Sequence, residues 1–94
     1  MDSWKVKLEE KLKKDMSHSR MRGSFGGMVQ NTARDIYKEL ENSSSEEEFK
    51  EYLNNISKEN LHTFYHTSNT LIRIRTNYIF EIINFYKKIK GDQD

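Results

Sequence analysis

From Leu61 to Ile89 the apolar residues keep a single helical phase. At about 100° per residue, Leu61, Phe64, Tyr65, Leu71, Ile72, Ile74, Tyr78, Ile79, Ile82, Ile83, Phe85, Tyr86 and Ile89 share one half of the helix surface. A strand has period two and cannot produce that arc, and the chain contains no proline to break it. The pattern predicts one helix over 58–90, capped by Ser57 and closed by Gly91 behind Lys87, Lys88 and Lys90. Such a helix spans about 50 Å, against about 20 Å for each shorter neighbour. A strip of apolar surface is then left for a second copy or a different protein. The competing arrangement is a break at "HTSNT", residues 66–70, with the chain folding back as a hairpin. The unbroken phase argues for the continuous helix.

Three further helices precede it. Trp4, Leu8, Leu12 and Met16 recur every four residues, giving a first helix over about 3–18 with a narrow apolar stripe. Val29, Ala33, Ile36, Tyr37 and Leu40 give a second over about 28–41, ended by Asn42 and Ser43. In "SSSEEEF" either Ser44 with Glu47 or Ser45 with Glu48 fits a capping box, and the carboxylates suit the positive end of the helix dipole. That start predicts a short third helix to about Asn55, with Phe49, Tyr52, Leu53 and Ile56 facing inward. The expected fold is all-α: a small bundle of about four helices with a long C-terminal helix, completed by self-association. It forms one domain over 1–94, with a flexible Gly/Arg hinge loop at 17–28.

A chain of 94 residues buries only about 60–65% of the surface it exposes when unfolded. Apolar residues are 34% of it, below the usual 45–50% or so, so a partner would add stability the core lacks. The net charge of +1 hides blocks. Residues 1–34 carry eight Lys/Arg against four Asp/Glu, 35–59 three against eight, and 60–94 five against three. The basic first third would suit phosphate contact, but the near-neutral total weakens that reading. Cysteine is absent, which excludes disulfides and thiolate chemistry and fits a reducing compartment. The first sixteen residues contain no apolar run of signal-peptide length, and no stretch approaches the ~18 apolar residues of a membrane span. A cytoplasmic protein without membrane contact is expected.

Few constellations invite chemistry. "SHSRMRGSFGGM" brings Arg20 and Arg22 beside Gly23, Gly26 and Gly27 ahead of a helix, where exposed amides bind anions. It lacks the lysine and hydroxyl of a Walker loop and the preceding strand of a dinucleotide fold, so a hinge with a basic rim is the better reading. Glu59, His62 and His66 stand at i, i+3 and i+7, but Thr63 occupies the position that a zincin gives to its glutamate. They read as exposed side chains, and no metal or cofactor site is expected.

Two residues break the pattern of the long helix. Arg75 projects near the middle of the apolar arc with Ser68 two turns earlier, so it should meet a carboxylate from another helix or chain, or else reach an anion supplied by a ligand or nucleic acid. Phe80 is the converse, an aromatic among Arg73, Asn77, Asn84 and Lys87 on the polar side, suited to stacking on a base or docking against protein. No nucleophile or acid–base pair of recognisable spacing is present, so neither an enzyme nor a small-molecule substrate is expected. The sequence points to a small interaction protein, an adaptor, inhibitor or chaperone, acting as a homodimer or on another protein. Its candidate interface is Leu71, Ile74, Arg75, Tyr78, Ile82, Phe85 and Ile89. The alternative is a subunit contacting RNA or DNA in a larger nucleoprotein assembly, through Arg20, Arg22, Arg73 and Phe80.

Overall fold

Side chains that bond back to nearby backbone set the ends of the helices. The computed structural model describes residues 3–18 and 22–91, which form α1 (Ser3–Ser17), α2 (Gly23–Asn42), α3 (Glu46–Tyr65) and α4 (Thr70–Gly91). The Ser17 hydroxyl donates to the Lys13 carbonyl at 2.8 Å and the Ser43 hydroxyl to the Glu39 carbonyl at 2.7 Å, closing α1 and α2. Of the two capping pairs the sequence offers, Ser45 with Glu48 is used, the Glu48 amide donating to the serine oxygen at 3.2 Å. Gly23 enters α2 with φ of 65°, a conformation that would strain any side chain.

Three expected boundaries are corrected. The segment 23–28, assigned to a hinge loop, is already helix. The third helix does not stop at Asn55: Ser57, expected to cap the next helix, donates instead to its own helix at the Asn54 carbonyl, 2.9 Å away, and α3 runs on to Tyr65. The helix over 58–90 does not exist as one piece. The chain breaks at His66–Asn69, where the His66 amide closes α3 on Thr63, Thr67 accepts from the Asn69 amide, and Asn69 caps α4 by accepting from Leu71 at 2.9 Å. The persistent phase has a simple origin. Before the break it is carried by Leu61, Phe64 and Tyr65 alone, and Tyr65 is exposed, so the three agree with the α4 arc without sharing one buried face.

The four helices alternate in direction. Lys5 pairs with Glu41 at 3.9 Å and Lys13 lies over the Tyr37 ring, so α1 and α2 are antiparallel. Glu46 meets Lys90 at 2.9 Å while Thr76 approaches the Asn60 carbonyl at 3.4 Å, which makes α3 antiparallel to α4. Lys11 with Glu81, Asp15 with Tyr78, and Trp4 with Tyr86 align α1 antiparallel to α4. All three other helices pack on α4.

The core follows the spacing of the sequence. Trp4, Leu8 and Leu12 from α1 meet Ala33, Ile36 and Leu40 from α2, Phe49 and Leu53 from α3, and Tyr78, Ile79, Ile82 and Tyr86 from α4. Each fully buried aliphatic side chain there contributes about 1.5–3 kcal/mol. At one end the rings of Trp4, Phe49 and Tyr86 are in contact, Trp4 meeting Tyr86 edge-on with centroids 5.5 Å apart. The stripe that was to be covered by a second copy is therefore covered from within: Tyr78 and Ile82 are core residues, and Ile83, Phe85 and Ile89 pack against them. The reason for expecting self-association falls away with it.

Candidate binding groove

The residues of the expected interface separate into three environments. Tyr78 and Ile82 are buried, Phe85 and Ile89 are half-buried against the core, and Leu71 and Ile74 are half-buried near the start of α4. Arg75 does meet a carboxylate from another helix, but within the same chain: its Nη1 lies 3.3 Å from Asp35 Oδ2 and 3.3 Å from Thr32 Oγ1 on α2. Ser68, expected beneath it on one helix face, is an exposed residue of the α3–α4 turn. Among the described residues every buried side-chain nitrogen and oxygen is hydrogen-bonded.

The anion contacts expected from the sequence are Arg20, Arg22, Arg73 and Phe80. Arg20 lies outside the described residues, and Arg22 is exposed just before α2. The Arg73 guanidinium sits 4.1 Å from the centroid of Phe64, a cation–π contact that ties the start of α4 to the end of α3. The His62 and His66 rings are 5.0 Å apart, and among the described residues no group of three His, Cys, Asp or Glu side chains could hold a metal ion. Large exposed apolar side chains occur singly on three helices, Val6 on α1, Phe25 on α2 and Tyr65 on α3.

Phe80 leads to the surface that remains. It lines a groove of about 730 Å³ between α3 and α4. From α3 come Lys50, Leu53, Asn54 and Ser57, at i, i+3, i+4 and i+7. From α4 come Phe80, Ile83, Asn84 and Lys87 with the same spacing, followed by Lys90 and Gly91, and Tyr86 of the ring cluster also borders the groove. Each set is one face of its helix. Because Glu46 lies beside Lys90 and Asn60 beside Thr76, the antiparallel register sets Lys50 level with Lys87 and Ser57 level with Phe80. The groove is thus polarised, with lysines at one end, apolar side chains and amides along its length, and an aromatic at the other end.

The lysine end is held by the ring cluster beneath it. Glu46 accepts from the Tyr86 hydroxyl and pairs with Lys90, whose ammonium also stands 5.9 Å from the Trp4 ring centroid. The Tyr86 hydrogen bond leads in holding the Glu46 carboxyl below its ordinary range; Lys90 adds to it, and together they outweigh partial burial. Burial, then the same carboxylate, pushes the Tyr86 phenol up. Lys50 reaches Glu47 at 4.0 Å. Among the described residues Lys87 has no carboxylate partner.

Sequence reasoning singled out Phe80 and its amide neighbours but missed the α3 wall: Lys50, Leu53 and Asn54 lie within the expected third helix, yet with 58–90 drawn as one rod nothing sets them opposite Phe80, and Ser57 reads as a cap. The signal was present in Lys50, Asn54 and Ser57, which share a face once the helix is allowed to continue. What the groove offers chemically is apolar contact, amide hydrogen bonding and cationic attraction. Compared with known proteins, the chain matches no family model, no curated protein and no solved structure.

Proposed function

We propose that this chain is a non-enzymatic interaction protein that binds an amphipathic helix of a partner protein in the groove between α3 and α4. One observation carries the reading: both walls present positions i, i+3, i+4 and i+7 toward the same space, the seam into which a further helix lays its own side chains. The α3 wall is about 10 Å long and the α4 wall about 16 Å, enough for two to three turns of a partner. Relative to the interface expected from the sequence, the working surface moves one face around α4, from Tyr78 and Ile82 to Phe80, Ile83, Asn84 and Lys87. The nucleic-acid alternative has less support, since Arg73 lies on Phe64 and Arg75 is paired with Asp35. A cysteine-free chain suits a reducing compartment, and a cytoplasmic location is part of the proposal. Among the described residues no helix is long and apolar enough to cross a membrane.

The test uses exposed positions so that folding is not at stake. Asn84→Trp fills the groove from its rim, while Val6→Glu alters α1 on another face. Partner recovery from the native host should be lost with Asn84→Trp and kept with Val6→Glu. Loss with Val6→Glu and retention with Asn84→Trp would move the binding surface to α1.

A further inference from the structure

Resting on that reading of the groove, we infer that its occupant is an acid-rich amphipathic helix, with Lys87 receiving its carboxylate. Three lysines and no carboxylate line the groove, in a chain whose Lys/Arg and Asp/Glu totals are nearly equal at 16 and 15. The three cations are not equivalent. Lys90 is committed to Glu46 at 2.9 Å, and Lys50 has a long contact to Glu47 at 4.0 Å. Lys87 is exposed, has no carboxylate partner among the described residues, and stands one turn beyond Ile83 on the same wall. A partner that sets apolar residues against Leu53, Ile83 and Phe80 brings its next turn over Lys87 and Lys50. A lysine on that turn would be repelled and a neutral residue would leave Lys87 to water, whereas a glutamate or aspartate completes the pair.

The charge is concentrated at one end, so the partner's acids should be too. The lysines occupy the end where α3 begins and α4 finishes, and Ser57 and Phe80 occupy the other. A partner with carboxylates in one terminal turn and apolar residues in the next two matches this polarity.

Three fluorescein-labelled helical peptides of about 14 residues, close to the shortest that hold a helix in water, test it. They share one apolar face and differ only in a terminal turn carrying glutamates, glutamines or lysines. Anisotropy titrations with the full chain should give the glutamate peptide about tenfold tighter binding than the glutamine peptide, and the lysine peptide the weakest. Raising the salt should narrow that spread, since these charges are exposed. Lys87→Gln should weaken the glutamate peptide about threefold, within the range of an exposed ion pair, and leave the glutamine peptide unchanged. Equal affinity for glutamate and glutamine peptides overturns the acidic occupant but leaves the groove reading standing. Failure of all three to bind overturns both. A dimer abolished by Asn84→Trp would make the occupant a second copy of this chain and overturn the inference as well.

Discussion

The two sides of α4 bear similar residue types and have opposite environments. Toward α1 and α2 it presents Tyr78, Ile79 and Ile82, all buried, with the Tyr78 hydroxyl donating to Asp15 at 2.7 Å. Along the α3 groove it presents Phe80, Ile83, Asn84 and Lys87, half-buried or exposed, and Lys87 has no carboxylate partner among the described residues. On the first side each polar tip of an amphipathic ring finds a partner within the chain. On the second the polar groups stay available at the edge of an apolar floor. The contrast separates side chains that hold the bundle together from those free to engage something else.

The largest effect should come from treating two phenylalanines alike. Phe49 is fully buried within the ring cluster, and Phe49→Ala should cost about 3–5 kcal/mol, a large share of the ~5–15 kcal/mol that holds an ordinary small domain folded. Phe80→Ala, on the groove wall, should cost about 1 kcal/mol while weakening partner binding. Urea denaturation read by circular dichroism separates the two. Similar losses at both positions would erase the distinction between the faces.

Next in size is the tyrosine–carboxylate contact beneath the lysine end. Tyr86→Phe removes a hydrogen bond to an ionised group, and with Glu46 still partly exposed the cost should be about 1–2 kcal/mol. The pH dependence has a definite sign. Burial pushes the Tyr52 phenol up to about 12 from its ordinary 10.0, and burial with the Glu46 contact pushes Tyr86 up as well. A group whose pKa is raised in the folded state contributes stability that is whole below its unfolded value and is lost as pH rises through the folded one. Thermal stability should therefore decline as pH climbs from 10 towards 12, and Tyr86→Phe should shrink that decline. Glu46 acts at the other extreme. Its carboxyl is held below 4.5, so its contribution is whole above that value and fades as pH falls through the folded pKa, a dependence that Glu46→Gln removes.

A smaller effect is expected at the α3–α4 turn. Asn69→Ala removes the cap that accepts from Leu71 and Ile72 and should cost about 1 kcal/mol. If the segment were one continuous helix, the same substitution would instead stabilise it, alanine being the better helix former. The smallest effect belongs to Lys87→Gln, which should leave stability within about 0.5 kcal/mol and register only in binding.

Much of this architecture is legible in the residues themselves. The stripe Trp4, Leu8, Leu12 and the pattern Ala33, Ile36, Leu40 name core positions directly, and the serines before Glu46 announce a helix start. The need of Arg75 for a carboxylate from another helix is legible too, though not that Asp35 of the same chain supplies it. The break at 66–69 is hidden because the phase before it rests on Leu61, Phe64 and the exposed Tyr65 alone, too few residues for periodicity to tell a hairpin from a rod. That ambiguity then misplaces the site. A rod leaves Tyr78 and Ile82 uncovered, whereas the hairpin buries them and sets Lys50, Leu53, Asn54 and Ser57 of α3 opposite Phe80 and Lys87 as the far wall of a groove.

The central claim is that the working surface is the α3–α4 groove and not the stripe on the other side of α4. A titration of the isotopically labelled chain with the glutamate peptide, followed by amide chemical shifts, tests this most directly. The largest changes should fall on Lys50, Asn54, Ile83, Asn84 and Lys87, with Val6 and Phe25 unmoved. Changes centred on α1 and α2, with the groove amides silent, would contradict it.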